Sequence, residues 1–347
     1  MTLHIGAFKT GTSFVQSVLS NNKARLAELG VLWPGESWAS QVRAVRGLRN
    51  PHGNGYRYWS ALVDEINQWQ GDSTIVSMES LSQVNSSTVK RVVGTLSDHR
   101  VRVVLTARDI GRVLPAQWQE SVQNGWTWSY SDYLAGAVER RKEFTRAWEH
   151  FWTKQDAPAI LRNWGKAVDI PDLCVVTVPP SGAPRGQLWE RFCQAVDLRA
   201  EQFDANVRVN ESLGAASAEV MRYVAIQAQA AGTEGRTTRA IKKSLAKQVM
   251  AELRSSEPTL VLPEKFQDWT RNRSEELVSE IRGISPQIVG DLTDLIPTFA
   301  TPSGPTTDDP SRLPADALLT AAAHGLLGMS DLLTRQSSGR PDESSAE

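Results

Sequence analysis

The chain has 347 residues, 40% of them hydrophobic, and its 38 basic and 39 acidic side chains leave a formal net charge of −1. That length suffices for one large α/β domain or two small ones, and the near-neutral balance argues against a broad nucleic-acid surface. Cys174 and Cys193 are the two cysteines, and neither their number nor their spacing suggests a disulfide framework or a zinc site. Residues 1–20 lack the basic n-region and unbroken apolar stretch of a signal peptide. With no run of about 18 apolar residues, no transmembrane segment is expected, and a reducing, cytoplasmic setting fits best.

The first element is a short apolar strand, Leu3–Ile5. It runs into the loop Gly6-Ala7-Phe8-Lys9-Thr10-Gly11-Thr12-Ser13 and then into a helical pattern over Thr12–Leu29. Strand, glycine loop and helix in that order build a phosphate cradle, because loop amides and the helix N-terminus converge on one anion. Gly6 and Gly11 have the spacing of a P-loop, but Thr12 stands where an ATPase places lysine, and Lys9 lies inside the loop. The displaced lysine points to a phosphate-bearing donor other than ATP.

Residues 35–57 read as a long loop, opened by Pro34-Gly35 and continued by Asn50-Pro51-His52-Gly53-Asn54-Gly55, with the length of a lid or binding loop. Further strands are expected at Thr74–Ser77, Val101–Thr106 and Leu173–Val178, since apolar residues on consecutive positions suit buried parallel strands. Helical patterns at Tyr58–Trp69, Ser87–Leu96 and Val113–Gln123 lie between them. The alternation implies right-handed βαβ crossovers and a three-layer α/β/α fold with a central parallel sheet. Its ligands belong beyond the carboxyl ends of the strands.

Residues 129–169 read as helical and tryptophan-rich, and 185–197 as an amphipathic helix. Trp118, Trp126, Trp128, Trp148 and Trp152 suit either core packing or the wall of an acceptor pocket. Residues 210–282 read as mostly helical, with breaks at Pro258 and Pro263. Residues 300–315 read as a linker, Ala315–Thr334 as one more helix, and 336–347 as a polar disordered tail. The expected organisation is a principal domain over 1–299 and a linker, short helix and tail over 300–347.

Three side chains stand at the ligand edge of the expected sheet. Arg108 ends the strand of Val103-Val104-Leu105-Thr106-Ala107-Arg108-Asp109, and its planar fork suits a dianionic phosphate, though a plain Arg108–Asp109 contact would serve the same sequence. Glu79 follows the strand Thr74–Ser77; a partly desolvated carboxylate there could accept a hydroxyl proton, or it could simply start a helix. His52, in the Gly/Asn-rich loop, is the rival base, since imidazole needs little tuning near neutral pH. His4, on the first strand, is expected to pack beneath the cradle.

At this point the loop Lys9-Thr10-Gly11-Thr12-Ser13 with Gln16 resembles the 5′-phosphosulfate loop of sulfotransferases that use 3′-phosphoadenosine 5′-phosphosulfate (PAPS). Thr106-Ala107-Arg108-Asp109 followed by Leu114-Pro115-Ala116-Gln117-Trp118-Gln119-Glu120 is similar to the 3′-phosphate motif of that family, in a bacterial branch. Leu188-Trp189-Glu190-Arg191-Phe192 and Arg208-Val209-Asn210-Glu211-Ser212-Leu213 also look like that branch, so the resemblance spans about residues 2–297.

The resemblance implies a P-loop NTPase-like sulfotransferase fold with a helical C-terminal extension. It implies PAPS as co-substrate with no metal required, and a carbohydrate, glycolipid or small-metabolite acceptor. Ala7, Phe8, Lys9, Thr10, Gly11, Thr12 and Ser13 would hold the 5′-phosphosulfate, Arg108 the 3′-phosphate, and Lys9 with Glu79 or His52 would carry the chemistry. One departure stands out: the family motif carries a serine eight residues after the arginine, where this chain has Ala116. The competing expectations are a P-loop kinase or NTPase and a non-catalytic nucleotide-binding member of the family. Oligomeric state is not legible.

Overall fold

The computed structural model describes residues 1–48, 50, 52–184, 186–207, 213–233, 241–299 and 304–337. The chain divides into two compact units: Met1–Val113 with His150–Val209 and Asp268–Thr298, and Leu114–Glu149 with Asn210–Gln267 and Phe299–Glu347.

The first unit is built on six strands: β1 (Thr2–His4), β2 (Val31–Leu32), β3 (Ser73–Ser77), β4 (Arg102–Ala107), β5 (Leu173–Thr177) and β7 (Gln287–Val289). They form one sheet in the order β2-β3-β1-β4-β5-β7, every pair parallel. Both faces are covered, as a parallel sheet requires. Leu3, Ile5, Val103, Leu105 and Val175 pack on one side with Ala44 of α3 (Trp38–Gly47), Trp59 of α4 (Tyr56–Gln68), Val89 of α5 (Ser86–Gly94) and Leu161 of α9 (Ala157–Trp164). Ile281 comes to the same side from α12 (Gln267–Ile284). Ile75, Val104, Cys174 and Val176 point the other way, onto Val15 and Val18 of α1 (Thr12–Asn21) and onto Trp189 and Phe192 of α10 (Gln187–Ala195). Odd and even strand positions thus feed two separate cores.

The second unit holds α7 (Tyr130–Ala137), α11 (Ala215–Ala230), helical turns over 241–255, α13 (Ala315–Ser337) and a parallel pair, β6 (Thr259–Leu260) with β8 (Thr306–Thr307). Trp118 is wholly buried there; its Nε1 donates to the carbonyl of Trp128 at 3.1 Å and its ring packs on Tyr130. The carboxylate of Glu257 accepts from the Ser217 amide at 2.9 Å and the Ser217 hydroxyl at 2.6 Å, so a negative charge sits at the N-terminus of α11, where the helix dipole favours it. One helix, α6 (Ile110–Gln123), begins in the first unit and ends in the second.

Several expectations are corrected. The loop read over 35–57 contains α3, whose Gln41, Ala44 and Val45 are buried at helical spacing; the flanking glycines and Pro34 hid that period. The helix expected over Thr12–Leu29 breaks after Asn21 into α1 and α2 (Lys23–Glu28). Asn22 stops it by donating through Nδ2 to the carbonyls of Val18 and Asp204, both at 2.8 Å. The edge strands β2 and β7 have two and three residues, too short to show a period. The stretch read as mostly helical over 210–282 includes β6, and Thr306 and Thr307 of the expected linker pair with it. Residues Ala315–Arg335 of α13 are long and apolar enough to cross a membrane by length and composition alone. It escapes a search for unbroken apolar runs because Asp316, His324, Asp331 and Arg335 interrupt it. The tail from 338 lies outside the described residues, as does Arg208–Ser212 of the phrase ending at Leu213.

Candidate functional site

Strands β3, β1 and β4 are neighbours, with His4 level with Ser77 on one side and Val104 on the other. Glu79, the Gly6–Ser13 loop and Arg108 therefore leave the sheet side by side at its carboxyl edge. The family-like motifs, distant in sequence, are brought together by this register.

The loop turns through two left-handed positions, Lys9 (φ 65°) and Gly11 (φ 82°), a backbone state uncommon for lysine and tolerated where the surroundings hold it. What holds it is a set of bonds to three successive carbonyls. Ala7 O accepts from Thr10 Oγ1 at 2.6 Å, Phe8 O from Gln155 Nε2 at 2.9 Å, and Lys9 O from Arg108 Nη1 at 3.3 Å. Each tied carbonyl turns the amide of its own peptide unit, that of Phe8, Lys9 or Thr10, to the opposite side. None of the amides of Thr10, Gly11, Thr12 and Ser13 donates to a backbone carbonyl among the described residues, and these amides open α1. A run of undirected donors at a helix start is an anion nest. Ala7, Thr10 and Thr12 are buried, Phe8, Lys9 and Gly11 half-buried, and Ser13 exposed.

Under the loop runs a buried polar chain whose proton order can be worked out by counting. Thr10 spends its single hydroxyl proton on Ala7 O, so the 2.7 Å contact between Thr10 and Thr106 must be Thr106 donating. Thr106 Oγ1 then accepts, at 3.3 Å, from His4 Nε2, which makes His4 the Nε2–H tautomer; its Nδ1 accepts from the Ser77 hydroxyl at 2.7 Å. His4 is fully buried, and burial pushes its pKa down to about 3, so it stays neutral. Gly6 makes the chain possible: a Cβ there would land on Thr106 Oγ1 and Thr12 Oγ1.

Arg108 does not pair with Asp109. Asp109 is buried and caps α6, accepting from the Arg112 amide at 2.8 Å and pairing with Arg112 Nε. Arg112 also donates to Pro179 O at 3.0 Å. Arg108 is left as a largely buried cation held toward the loop, its pKa lowered to about 10 by burial and by the neighbouring Arg112. Its Nε is buried without a hydrogen-bond partner.

Glu79 is half-buried and opens a short helical turn, Glu79–Gln83, whose Ser82 hydroxyl bonds the Glu79 carbonyl at 2.7 Å. The strand end before it is clamped. The Ser77 amide donates to Gln41 Oε1 at 3.0 Å and Ser77 O accepts from Gln16 Nε2 at 2.9 Å. Gln41 and Gln155, which hold the strand end and the loop, are positions that the sequence reading missed. One lay in a presumed loop and the other in a tryptophan-rich stretch; a lone amide at a core-facing helical position was the available signal. His52 sits on an exposed turn between α3 and α4 and makes no hydrogen bond or ion pair among the described residues. Ala116 lies on α6, within the second unit. Of the five clustered tryptophans, Trp118 and Trp152 are buried, Trp126 stacks on Trp128, and Trp148 lies under the Arg140 guanidinium.

The sequence matches no family model and no curated protein sequence. Among solved structures, the chain is similar to a sulfotransferase from Alicyclobacillus acidocaldarius at 14% identity. The likeness covers 69% of this chain and 94% of that chain, with a TM-score of 0.41.

Two predictions test this geometry. Ring 15N shifts should show His4 as a neutral Nε2–H imidazole at pH 5, where exposed histidines are protonated. Between pH 6.5 and about 3 the unfolded chain binds a proton that the folded chain refuses, so His4 makes stability fall as pH drops, by about 1.4 kcal/mol per pH unit. His4→Gln should flatten that dependence in denaturant titrations at pH 7 and pH 5. Gly6→Ala should destabilise the fold by about 1–3 kcal/mol through overpacking, measured by the same titrations.

Proposed function

We propose that this chain is a PAPS-dependent sulfotransferase, moving a sulfuryl group to a hydroxyl or amine of a carbohydrate, glycolipid or small metabolite. One observation carries the reading. Three loop carbonyls are tied back, and the amides of Thr10–Ser13, where α1 opens, donate to no backbone carbonyl among the described residues; beside them lies a largely buried guanidinium that makes no ion pair among the described residues. That arrangement suits a ligand carrying two separate anionic groups, as PAPS does. The fit is chemical: unpaired buried charge is costly in an empty site and is offset when an anion arrives.

In this reading the nest and the hydroxyls of Thr10, Thr12 and Ser13 hold the 5′-phosphosulfate, and Arg108 grips the 3′-phosphate through its fork. Sulfuryl transfer resembles phosphoryl transfer: in-line attack, a loose transition state, and catalysis by positioning and charge neutralisation. The acceptor oxygen attacks sulfur as the bond to the bridging oxygen breaks. Lys9 neutralises the charge growing on that oxygen, and Glu79 takes the acceptor proton. The bonds on both sides of Ser77 set the position from which Glu79 leaves the sheet.

Calorimetric titration without magnesium tests the donor class. Adenosine 3′,5′-bisphosphate should bind more tightly than adenosine 5′-monophosphate, and Arg108→Ala should erase most of that preference, a loss of roughly 10–100-fold. Equal affinity for the two nucleotides in the wild type would reject the reading. For the chemical step, Lys9→Ala should lower turnover by about 100-fold or more with little change in donor affinity. Glu79→Gln should cost about 100–10,000-fold in rate; full activity in that variant would move the base role to His52.

A further inference from the structure

Helix α13 turns small residues inward and leucines outward. Ala321 and Gly325 are buried, and the helix lies on α11 and on the helical turns over 241–255. The fit is close: a Cβ at Gly328 would run into Val249, and one at Gly325 would crowd Leu245 and Met250. On the other side Leu319, Leu326, Leu327 and Leu333 are 69%, 74%, 72% and 62% exposed. A surface helix ordinarily turns its large apolar side chains toward its own core, and apolar surface gathered on the outside marks a contact with something else. The segments outside the described residues carry no leucine, isoleucine, methionine or aromatic residue that could cover it.

The exposed side chains follow a seven-residue repeat. Leu319, Leu326 and Leu333 are seven apart, Ala323 and Ser330 fall between them, and all five are exposed. That is the seam of two helices wound along each other. No charged residue falls on the seam between Leu319 and Leu333; Asp331 lies off it and pairs with Arg335 at 2.7 Å. Large and small residues alternate along the seam. Two copies run antiparallel can set Leu326 against Ser330 and Leu333 against Ala323, so that large meets small. Run parallel, they would stack leucine on leucine and leave gaps at the small layers. Charge selects the same direction. Asp316 stands in the first turn and Arg335 in the last, so antiparallel copies bring opposite charges together at each end and oppose their helix dipoles, whereas parallel copies bring like to like. Composition argues against a lipid surface as the occupant. Ala315–Arg335 holds two carboxylates and one arginine, where a helix lying on anionic lipid has a polar face rich in lysine and arginine.

We propose that the outer face of α13 binds a second copy of this chain as an antiparallel helix pair, the seam leucines of each copy set against the small seam residues of the other. This interface stands independently of the proposed donor and reaction.

Sedimentation equilibrium over a concentration series tests it. The wild type should associate to a dimer of two 38.3 kDa chains. Leu326→Glu should weaken that dimer at least about 100-fold, because the leucine is lost from both copies, with the far-UV circular dichroism unchanged. Ser330→Glu, a change at an exposed serine that leaves every leucine in place, should weaken it in the same direction. Direction is read by mixing Ala323→Cys with Leu333→Cys protein under mild oxidation, since the native cysteines are both buried. Disulfides should form between the unlike variants. Disulfides only between like variants would overturn the antiparallel pairing. A wild type that stays monomeric throughout, or a dimer that both glutamate variants leave intact, would overturn the interface. A monomeric wild type that floats with phosphatidylcholine–phosphatidylserine vesicles, and loses this with Leu326→Glu, would assign the face to a bilayer and overturn the proposal.

Discussion

The site depends on the direction in which one peptide loop faces. In a planar trans peptide the amide and the carbonyl face opposite ways, so holding the carbonyl fixes where the amide points. In this chain the carbonyls of Ala7, Phe8 and Lys9 are taken by Thr10, Gln155 and Arg108, contributed by the loop itself, α8 (Thr145–Gln155) and the end of β4. The left-handed turn at Lys9 is the local cost of this arrangement, and the three bonds are what stabilise it. The loop is therefore held from three parts of the first unit, and its anion-facing amides are set before any ligand arrives.

Beneath the loop the same logic runs through side chains. Ser77, His4, Thr106 and Thr10 form a one-directional hydrogen-bond chain from β3 across β1 and β4 to Ala7 O. Each hydroxyl has one proton to give, so the order of donors is fixed and the chain cannot reverse without breaking a bond at its end. A charged imidazole would supply a second donor where Nδ1 must accept, and burial opposes that charge. The neutral histidine thus links the strand that leads to Glu79 with the loop that carries Lys9. Polar groups at the core of a sheet are destabilising unless fully satisfied; this set is satisfied, and its product is a defined spacing between neighbouring strand ends.

Arg108 is the counter-example, and it gains meaning from the contrast. Asp109 is committed to Arg112, while Arg108 keeps a buried nitrogen without an acceptor. A largely buried cation that makes no ion pair among the described residues is a physical route to a ligand position, independent of any likeness to other proteins.

The sequence alone determined the alternation that produces the parallel sheet, because consecutive apolar residues at 74–77, 101–106 and 173–178 have no other economical burial. It also determined the glycine loop at its first turn and the residue types waiting at the edge: Lys9, Glu79 and Arg108. It could not show α3, where flanking glycines masked a helical period, nor the two- and three-residue edge strands, whose pairing is decided by neighbours. Tertiary structure decided which side chains orient the loop, since Thr106 and His4 come beneath it through strand register and Gln155 reaches it from α8. It also decided that Asp109 serves Arg112 and the helix start, leaving Arg108 to the Lys9 carbonyl. Local pattern encodes which residues are apolar and where the chain turns, whereas hydrogen-bond partnership across a sheet exists only once the strands are in register.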